Sequence, residues 1–319
     1  MVEKSLYIRD ICEGATIDSP FVLDSAELRD RRGGKYIMVT LSDCTGRLTC
    51  KVWGTQGSSP DEIEELYRML RQGEVYRIRG FAKVFNGNCE INVNDGISHM
   101  AAPVPLSDVN VSDYVYAPVD RREIAARLQD AIASITDGGL QALVRAAFAD
   151  TEGFYEVPAA KRKHHDYAGG LAEHTLETAR IAVAIARSVA RAGMNRDLLL
   201  AGGLLHDIGK AFCFERRGIS FAARPEYDLI GHTTLGMNHL SRYRTSIDPA
   251  AFCHLLHIVQ SHHGPYGEVL PQTPEAWAVH FADNASARIR EVSDDIEQLA
   301  PGEGTWRGSR SGDPVYRFP

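Results

Sequence analysis

One dispersed series of residues constrains this chain more than anything else in it. His174, His206-Asp207, His232, His262-His263 and Asp283 follow one another at separations too wide for a single helical turn. Eleven of the twelve histidines lie between His164 and His280. A hydrophobic core has no need of such clustering. A site for two divalent ions does, because imidazole nitrogens and carboxylate oxygens are the ligands of Mn, Fe, Co, Ni and Zn. A fold that draws these positions together builds a two-metal hydrolytic site.

From Arg121 onward the apolar spacing is helical. It predicts helices over 121–133, 140–148, 171–192, 196–207, 232–243, 249–261 and 275–299, with no convincing β-pattern among them. The run LLLAGGLLHDIGK, residues 198–210, reads as a buried helix with His206-Asp207 at its C-terminal end. A carboxylate has two oxygens, so Asp207 can bridge two ions where His206 binds one. Gly209 lets the backbone pass close to the site. Lys210 follows His206 by four residues, on nearly the same face, where its ammonium can hold a phosphate oxygen. His174 falls near the start of a long helix, His232 opens another, and His262-His263 ends the helix beginning near Pro249. His165 precedes the Gly169-Gly170 segment and is placed to contact a substrate phosphate or protonate a leaving oxygen; His164 is the weaker candidate. His254 and His257 read as core or surface residues, and for His280, one turn before Asp283, a supporting role is the weaker reading. His99 and His239 carry no functional argument.

The first hundred residues have a different period. KYIMVTL (35–41) and RLTCKVW (47–53) alternate like strands around the turn at Asp43–Gly46, and EVYRIRGFAKV (74–84) resumes the pattern after a helix over 61–71. Asn86-Gly87 between two strand-like runs is a hairpin signal, because a type I′ turn needs positive φ at both central residues. With a strand near Phe21-Val22-Leu23 this makes five strands and one intervening helix, the pattern of an OB-fold barrel. Such barrels bind single strands through stacked aromatics and a basic groove. The candidates are Tyr36, Trp53, Tyr76, Phe81 and Phe85, with Arg31, Arg32, Lys35, Lys51, Arg79 and Lys83. Arg29, Arg31, Arg32 and Lys35 read as one basic loop. The expected fold class is multidomain α and β: a five-stranded OB-fold barrel over 1–102, a Pro-containing linker over 103–120, an all-α helical bundle over 121–300 and a Gly- and Arg-rich tail over 301–319.

Composition narrows the setting. The chain has 319 residues, 44% of them hydrophobic and 24% charged, which suits a soluble protein of two domains. No apolar run approaches 18 residues, so no membrane span is expected. The N-terminus lacks the apolar stretch of a secretory signal. The six cysteines are scattered without a CxxC pair. They read as reduced thiols, and the expected location is cytoplasmic. A net charge of −7 argues mildly against strong, non-selective nucleic-acid binding, although bound cations would add positive charge.

The ordered series H…HD…H…HH…D resembles the HD-domain metal-dependent phosphohydrolase superfamily over roughly residues 163–291. The resemblance implies one ion held by His174, His206, Asp207 and Asp283, and a second held by Asp207, His232 and either His262 or His263. It further implies attack on phosphorus by a water activated between the two metals, with Lys210 neutralising the phosphate. Nearly the whole chain resembles the YhaM-type 3′→5′ exoribonuclease family. That likeness rests on LSDCTG (41–46) and KVW (51–53) in the barrel, then HHDYAGGLAEHT (164–175), LLHDIGK (204–210), SHHG (261–264), PQTPEA (271–276) and ADN (282–284). It implies removal of nucleotides from the 3′ end of single-stranded RNA, often also DNA. Manganese is the preferred ion, with Fe, Co, Ni, Zn or Mg as alternatives, and a homo-oligomer is compatible with the family. Three other readings stay open on the residues alone: a small-nucleotide hydrolase with a regulatory barrel, a non-catalytic nucleic-acid-binding protein, and, weakest, a diiron oxygenase.

Overall fold

Strand β1 (Thr16–Arg31) is 16 residues long because it serves two neighbours. Its first half pairs antiparallel with β4 (Val75–Phe85), from Thr16 opposite Phe81 to Val22 opposite Val75. Its second half pairs with β2 (Gly34–Asp43), with a register irregularity between Leu23 and Ser25 where one partner gives way to the other. β3 (Gly46–Val52) follows β2, and β5 (Asn88–Val93) lies parallel to β3 and antiparallel to β4. The order β1-β2-β3-β5-β4 therefore closes back on β1 as a five-stranded OB-type barrel. The strand near Phe21 thus proves much longer than its three most apolar residues suggest. Arg29 and Arg31 lie on β1 and Lys35 on β2, so most of the expected basic loop is strand.

This architecture comes from a computed structural model that describes residues 3–32, 34–54, 60–85, 88–100, 102–189, 193–245 and 247–319. The expected Asn86-Gly87 turn and the last residues of the helix expected to reach 192 lie outside the described residues. Alternate residues of the barrel strands point inward. Ile17, Phe21, Ile37, Val39, Ile78 and Ile91 are all at most 1% exposed. Each such side chain contributes about 1.5–3 kcal/mol by leaving water. Helix α1 (Pro60–Met69) adds Ile63 and Leu66 to this core, and α2 (Gly96–Met100) adds Met100.

The chain divides into two units, Met1–Pro118 with Arg216–Ala222, and Val119–Glu215 with Ala223–Pro319. The stretch expected as a linker from 103 onward folds with the first. β6 (Pro103–Val104) pairs with β4, and Val109 and Tyr114 pack with Val22, Val75 and Ile219. Ile219 belongs to the returning segment, whose amide donates to the Gly73 carbonyl at 2.9 Å.

The second unit is built on α5 (Gly170–Ser188), which packs against α6 (Arg196–Leu205) and α10 (Pro274–Glu297). α3 (Arg121–Ala133), α4 (Gly138–Ala149), α7 (Pro225–Leu229), α8 (His232–Leu240) and α9 (Pro249–Ser261) complete it. Side chains of Asp120, Asp137, Asn195, Asp248 and Thr273 cap the amides at the starts of α3, α4, α6, α9 and α10. The helical reading holds, with two additions. β7 (Phe214–Arg217) pairs with β8 (Ser220–Ala223), and β9 (Gly304–Thr305) with β10 (Val315–Tyr316). Strands of four and two residues are too short for alternation to reveal. The tail is anchored to α10 at Asp295, whose carboxylate accepts from Ser309 Oγ, Arg310 N and Ser311 N at 2.9 Å each. No helix among the described residues is long and apolar enough to cross a membrane.

Candidate metal centre and nucleic-acid face

Beyond its first turn α6 is apolar on every side and buried from Asp197 to Leu205, so it runs into the interior of the helical unit and ends there. That ending places His206 and Asp207 in the interior, each 1% exposed. The chain then turns through a 3₁₀ segment, Ile208–Phe212. Gly209 lies against the start of α8, where any Cβ would collide with the His232 carbonyl and the Gly236 amide. This close approach brings Asp207 against His232.

Asp207 stands between two groups of ligands. Its Oδ2 is 3.4 Å from His174 Nε2 and 3.3 Å from His206 Nε2. Its Oδ1 is 3.2 Å from His232 Nε2 and 3.6 Å from His262 Nε2. Asp283, from α10, closes the first group, with Oδ1 3.1 Å from His174 Nε2 and 3.8 Å from His206 Nε2. The ligand atoms of His174, His206, Asp207 and Asp283 converge within 4.8 Å of one another, as do those of His232, His262 and His263. Asp207 Oδ1 and the Nε2 atoms of His232 and His262 are buried without a hydrogen-bond partner, and Asp207 Oδ2 meets the Lys210 ammonium. Orphaned, buried and convergent nitrogen and oxygen donors are what a pair of divalent cations requires. The donor set fits such ions.

The opposite ring nitrogens explain the aim. His206 Nδ1 is 2.8 Å from the Gly203 carbonyl, and His262 Nδ1 is 2.7 Å from that of Val259. His174 Nδ1 meets Ser286 Oγ at 2.9 Å, and the Ser286 hydroxyl donates in turn to Glu177 Oε2 at 2.7 Å. Each contact places the proton on Nδ1 and leaves Nε2 for a cation. His280 Nδ1 lies 2.8 Å from the His262 carbonyl, so it supports that ligand's backbone. Sequence reasoning missed Ser286, Glu177 and Glu291. Only Glu177 carries a local signal, three residues beyond His174 on the same helix.

Charge is arranged to match. Burial opposes ionisation of Asp207, but the Lys210 ammonium and the surrounding histidines outweigh it and hold the carboxyl well below its ordinary range. Burial likewise opposes charge on Lys210, and Asp207 and Asp283 raise its pKa nonetheless. Lys210 Nζ is 2.6 Å from Asp207 Oδ2. Burial pushes His232 down to about 3 and His262 well below the imidazole range, so both are neutral donors. At His174 the two carboxylates overcome burial and raise the pKa to about 9.

His165, expected to touch substrate, has a side chain 0% exposed, with Nε2 3.3 Å from Glu177 Oε2. His164 keeps 15% exposure; its Nδ1 is 3.2 Å from Glu291 Oε1 and its ring 5.2 Å from that of His174. His239, His254 and His257 engage Thr151, Thr273 and the Gln272 amide, respectively, which is structural work.

On the barrel, Phe81, Lys83 and Phe85 share the outward face of β4 and are exposed. Phe81 pairs with Asn92, which pairs with Lys51, giving one row across three strands. Tyr36 stacks on Trp53 at 4.8 Å between centroids and 26° between planes, and the Arg31 guanidinium lies 4.7 Å from the Trp53 ring. Trp53 Nε1 donates to Asn92 Oδ1 at 3.0 Å, and Lys51 Nζ sits 4.4 Å from the Phe85 ring centroid. These groups form a continuous aromatic and basic surface. Several cations on the barrel already hold carboxylates: Lys35 with Glu64 at 2.5 Å, Lys51 with Glu90 at 2.7 Å and Arg79 with Asp18 at 3.4 Å. Arg32 is exposed at the end of the β1–β2 hairpin. Tyr76 is not part of this face; it is 1% exposed, and its hydroxyl accepts from the Arg71 amide at 2.9 Å.

Residues 171–288 match the HD domain family, and residues 23–97 match the OB-fold nucleic acid binding domain family. The 3′-5′ exoribonuclease YhaM of Listeria welshimeri is 29% identical over 311 residues, covering 95% of this chain and 94% of that one. The 3′-5′ exoribonuclease YhaM of Bacillus subtilis is 28% identical over 318 residues with the same two coverages, 95% and 94%. The chain is thus similar over nearly its whole length to 3′-5′ exoribonucleases named YhaM, with an OB-fold match in its first part and an HD match in its second.

Proposed function

We propose that this protein is a metal-dependent 3′→5′ exonuclease that hydrolyses phosphodiester bonds of single-stranded RNA from the 3′ end, with single-stranded DNA as a further substrate. The observation that carries the chemistry is Asp207, a buried carboxylate whose two oxygens each face one histidine group. His174, His206 and Asp283 would hold one cation with Asp207. His232, His262 and His263 would hold the second, for which manganese is the proposed ion. Two such ions supply an activated water and neutralise charge developing on the phosphoryl oxygens.

The chain's own groups do the rest. Asp207 fixes the spacing of the two groups, since its two oxygens belong to one rigid carboxylate. Lys210 brings a positive charge within 2.6 Å of that carboxylate, where a phosphate oxygen entering the site would meet it. His164, held by Glu291 and still accessible, takes the substrate-facing role first expected of His165. Tyr36, Trp53, Phe81 and Phe85 would stack the bases of the bound strand, with Arg31, Arg32, Lys35, Lys51 and Lys83 along its phosphates.

The test uses a 5′-labelled single strand of about 20 nucleotides, a length that spans one or two barrel sites. With Mn²⁺ the wild-type chain is expected to yield a ladder shortening from the 3′ end, and EDTA to abolish it. Asp207→Ala is expected to lose the ions of the dinuclear centre and cleavage together. Normal cleavage by Asp207→Ala in Mn²⁺ would refute the two-metal reading.

A further inference from the structure

Beside the two histidine groups lies a third convergence of ligand atoms. His165, from the loop before α5, meets Glu173 and Glu177, which share one face of α5 at i and i+4. Their ligand atoms fall within 4.8 Å of one another. His165 Nε2 is 3.3 Å from Glu177 Oε2 and 4.0 Å from Glu173 Oε2. Donors placed about 2.0–2.2 Å from one ion stand roughly 3–4 Å apart, and the dinuclear ligands show the same spacing, at 3.1–3.8 Å.

The His165 side chain is 0% exposed, yet its Nδ1 has no hydrogen-bond partner and its Nε2 faces only the carboxylates of Glu177 and Glu173. Its backbone is held at φ 49°, a left-handed conformation that a non-glycine residue rarely adopts. The strain is imposed by the chain on both sides. The His165 carbonyl accepts from the Ala159 amide at 2.9 Å, and Gly170 packs against that carbonyl so closely that a Cβ would collide with it. Both carboxylates are positioned by hydroxyls on the oxygens that face His165: Tyr167 OH donates to Glu173 Oε2, and Ser286 Oγ donates to Glu177 Oε2. The Glu177 side chain is 40% exposed, so the cluster has a route to solvent.

We propose that His165, Glu173 and Glu177 form a third divalent-cation site next to the dinuclear centre. The two carboxylates repel each other across one helical turn, and a cation between them replaces repulsion with attraction. The site ties the loop before α5 to the helix that presents His174. It also reaches that ligand through Glu177, Ser286 and His174 Nδ1, so its charge bears on the first ion of the pair.

The test counts metal without RNA and is therefore independent of the nuclease reading. Full-length chains are stripped with EDTA, dialysed to equilibrium against saturating Mn²⁺, and assayed for bound metal by atomic emission. Glu177→Gln keeps the shape of a half-exposed side chain and removes its charge. It is expected to bind one Mn²⁺ fewer than wild type, whereas Ser286→Ala, which cuts the link to His174 and no ligand, binds as many as wild type. Asp207→Ala is expected to retain one ion, and adding Glu177→Gln to it removes that ion. Glu173→Gln is the parallel arm should Glu177→Gln fail to fold. Equal metal in Glu177→Gln and wild type overturns the proposal, as does loss of the same ion in Ser286→Ala, or an Asp207→Ala chain that binds none.

Discussion

At the scale of the residue, this protein depends on which nitrogen of each imidazole is committed elsewhere. The carbonyls of Gly203 and Val259 hold Nδ1 of His206 and His262, and Ser286 holds that of His174. Outer partners of this kind typically account for 10–100-fold in metal affinity. Ser286→Ala is therefore expected to weaken Mn²⁺ binding about 10–100-fold, with full occupancy regained at higher Mn²⁺ and thermal stability little changed. Calorimetric titration of the two proteins checks it; an unchanged affinity would mean that the Ser286 contact does not orient the ring. His165 shows what the residue scale leaves out. By sequence it stands beside His164 in a histidine-rich segment, and its left-handed φ of 49° and complete burial are properties of the folded loop.

At the scale of the element, backbone approach and capping position the site. Gly209→Ala forces its methyl into the carbonyl of His232. Overpacking of this kind costs about 1–3 kcal/mol, and here the strain would fall on the turn that sets Asp207 against His232. The expected result is a lower melting temperature together with loss of bound Mn²⁺; a variant that melts lower but keeps its metal would show the approach to be structural alone. The tail offers a pH test. Burial raises the pKa of Asp295, but bonds from Ser311, Arg310 and Ser309 outweigh it and leave it below the ordinary 3.8. A carboxyl depressed in the folded state contributes stability that is present above its unfolded pKa and lost as pH falls through the folded value. Acidification below about pH 3.8 should therefore release the segment from Ser309 onward before it affects the barrel. Amide hydrogen exchange across 304–316 would record it, and protection unchanged at pH 3 relative to pH 7 would count against the anchor. The short hairpins were illegible in the sequence for a related reason: pairs of two and four residues are stabilised by what they pack on, and leave too few residues to display a period.

At the scale of the whole molecule, two chemistries are carried by one chain: a barrel surface suited to single strands and a helical interior suited to phosphoryl transfer. Stacking contributes about 1–3 kcal/mol per base, so Trp53→Ala should weaken binding of metal-free protein to a single strand by about 5–150-fold. The same substitution should leave hydrolysis of a small phosphodiester dye unaffected. Fluorescence anisotropy and a dye assay read the two effects separately. Equal binding by Trp53→Ala would remove the Tyr36–Trp53 pair from the nucleic-acid face.

The sequence by itself determined the two periods, the helical character from Arg121 onward and the identity of the dispersed donors. Period and composition are local properties, and a ligand must be a histidine or carboxylate wherever it lies. The tertiary structure decided that Asp207 spans the two histidine groups, that Asp283 on α10 joins His174 on α5, that Tyr76 is core while Trp53 is only half-buried, and that His165 faces Glu173 and Glu177. These are relations through space between residues far apart in the chain. They depend on how the helices pack and on which ring nitrogen each neighbour occupies, and no linear pattern encodes either.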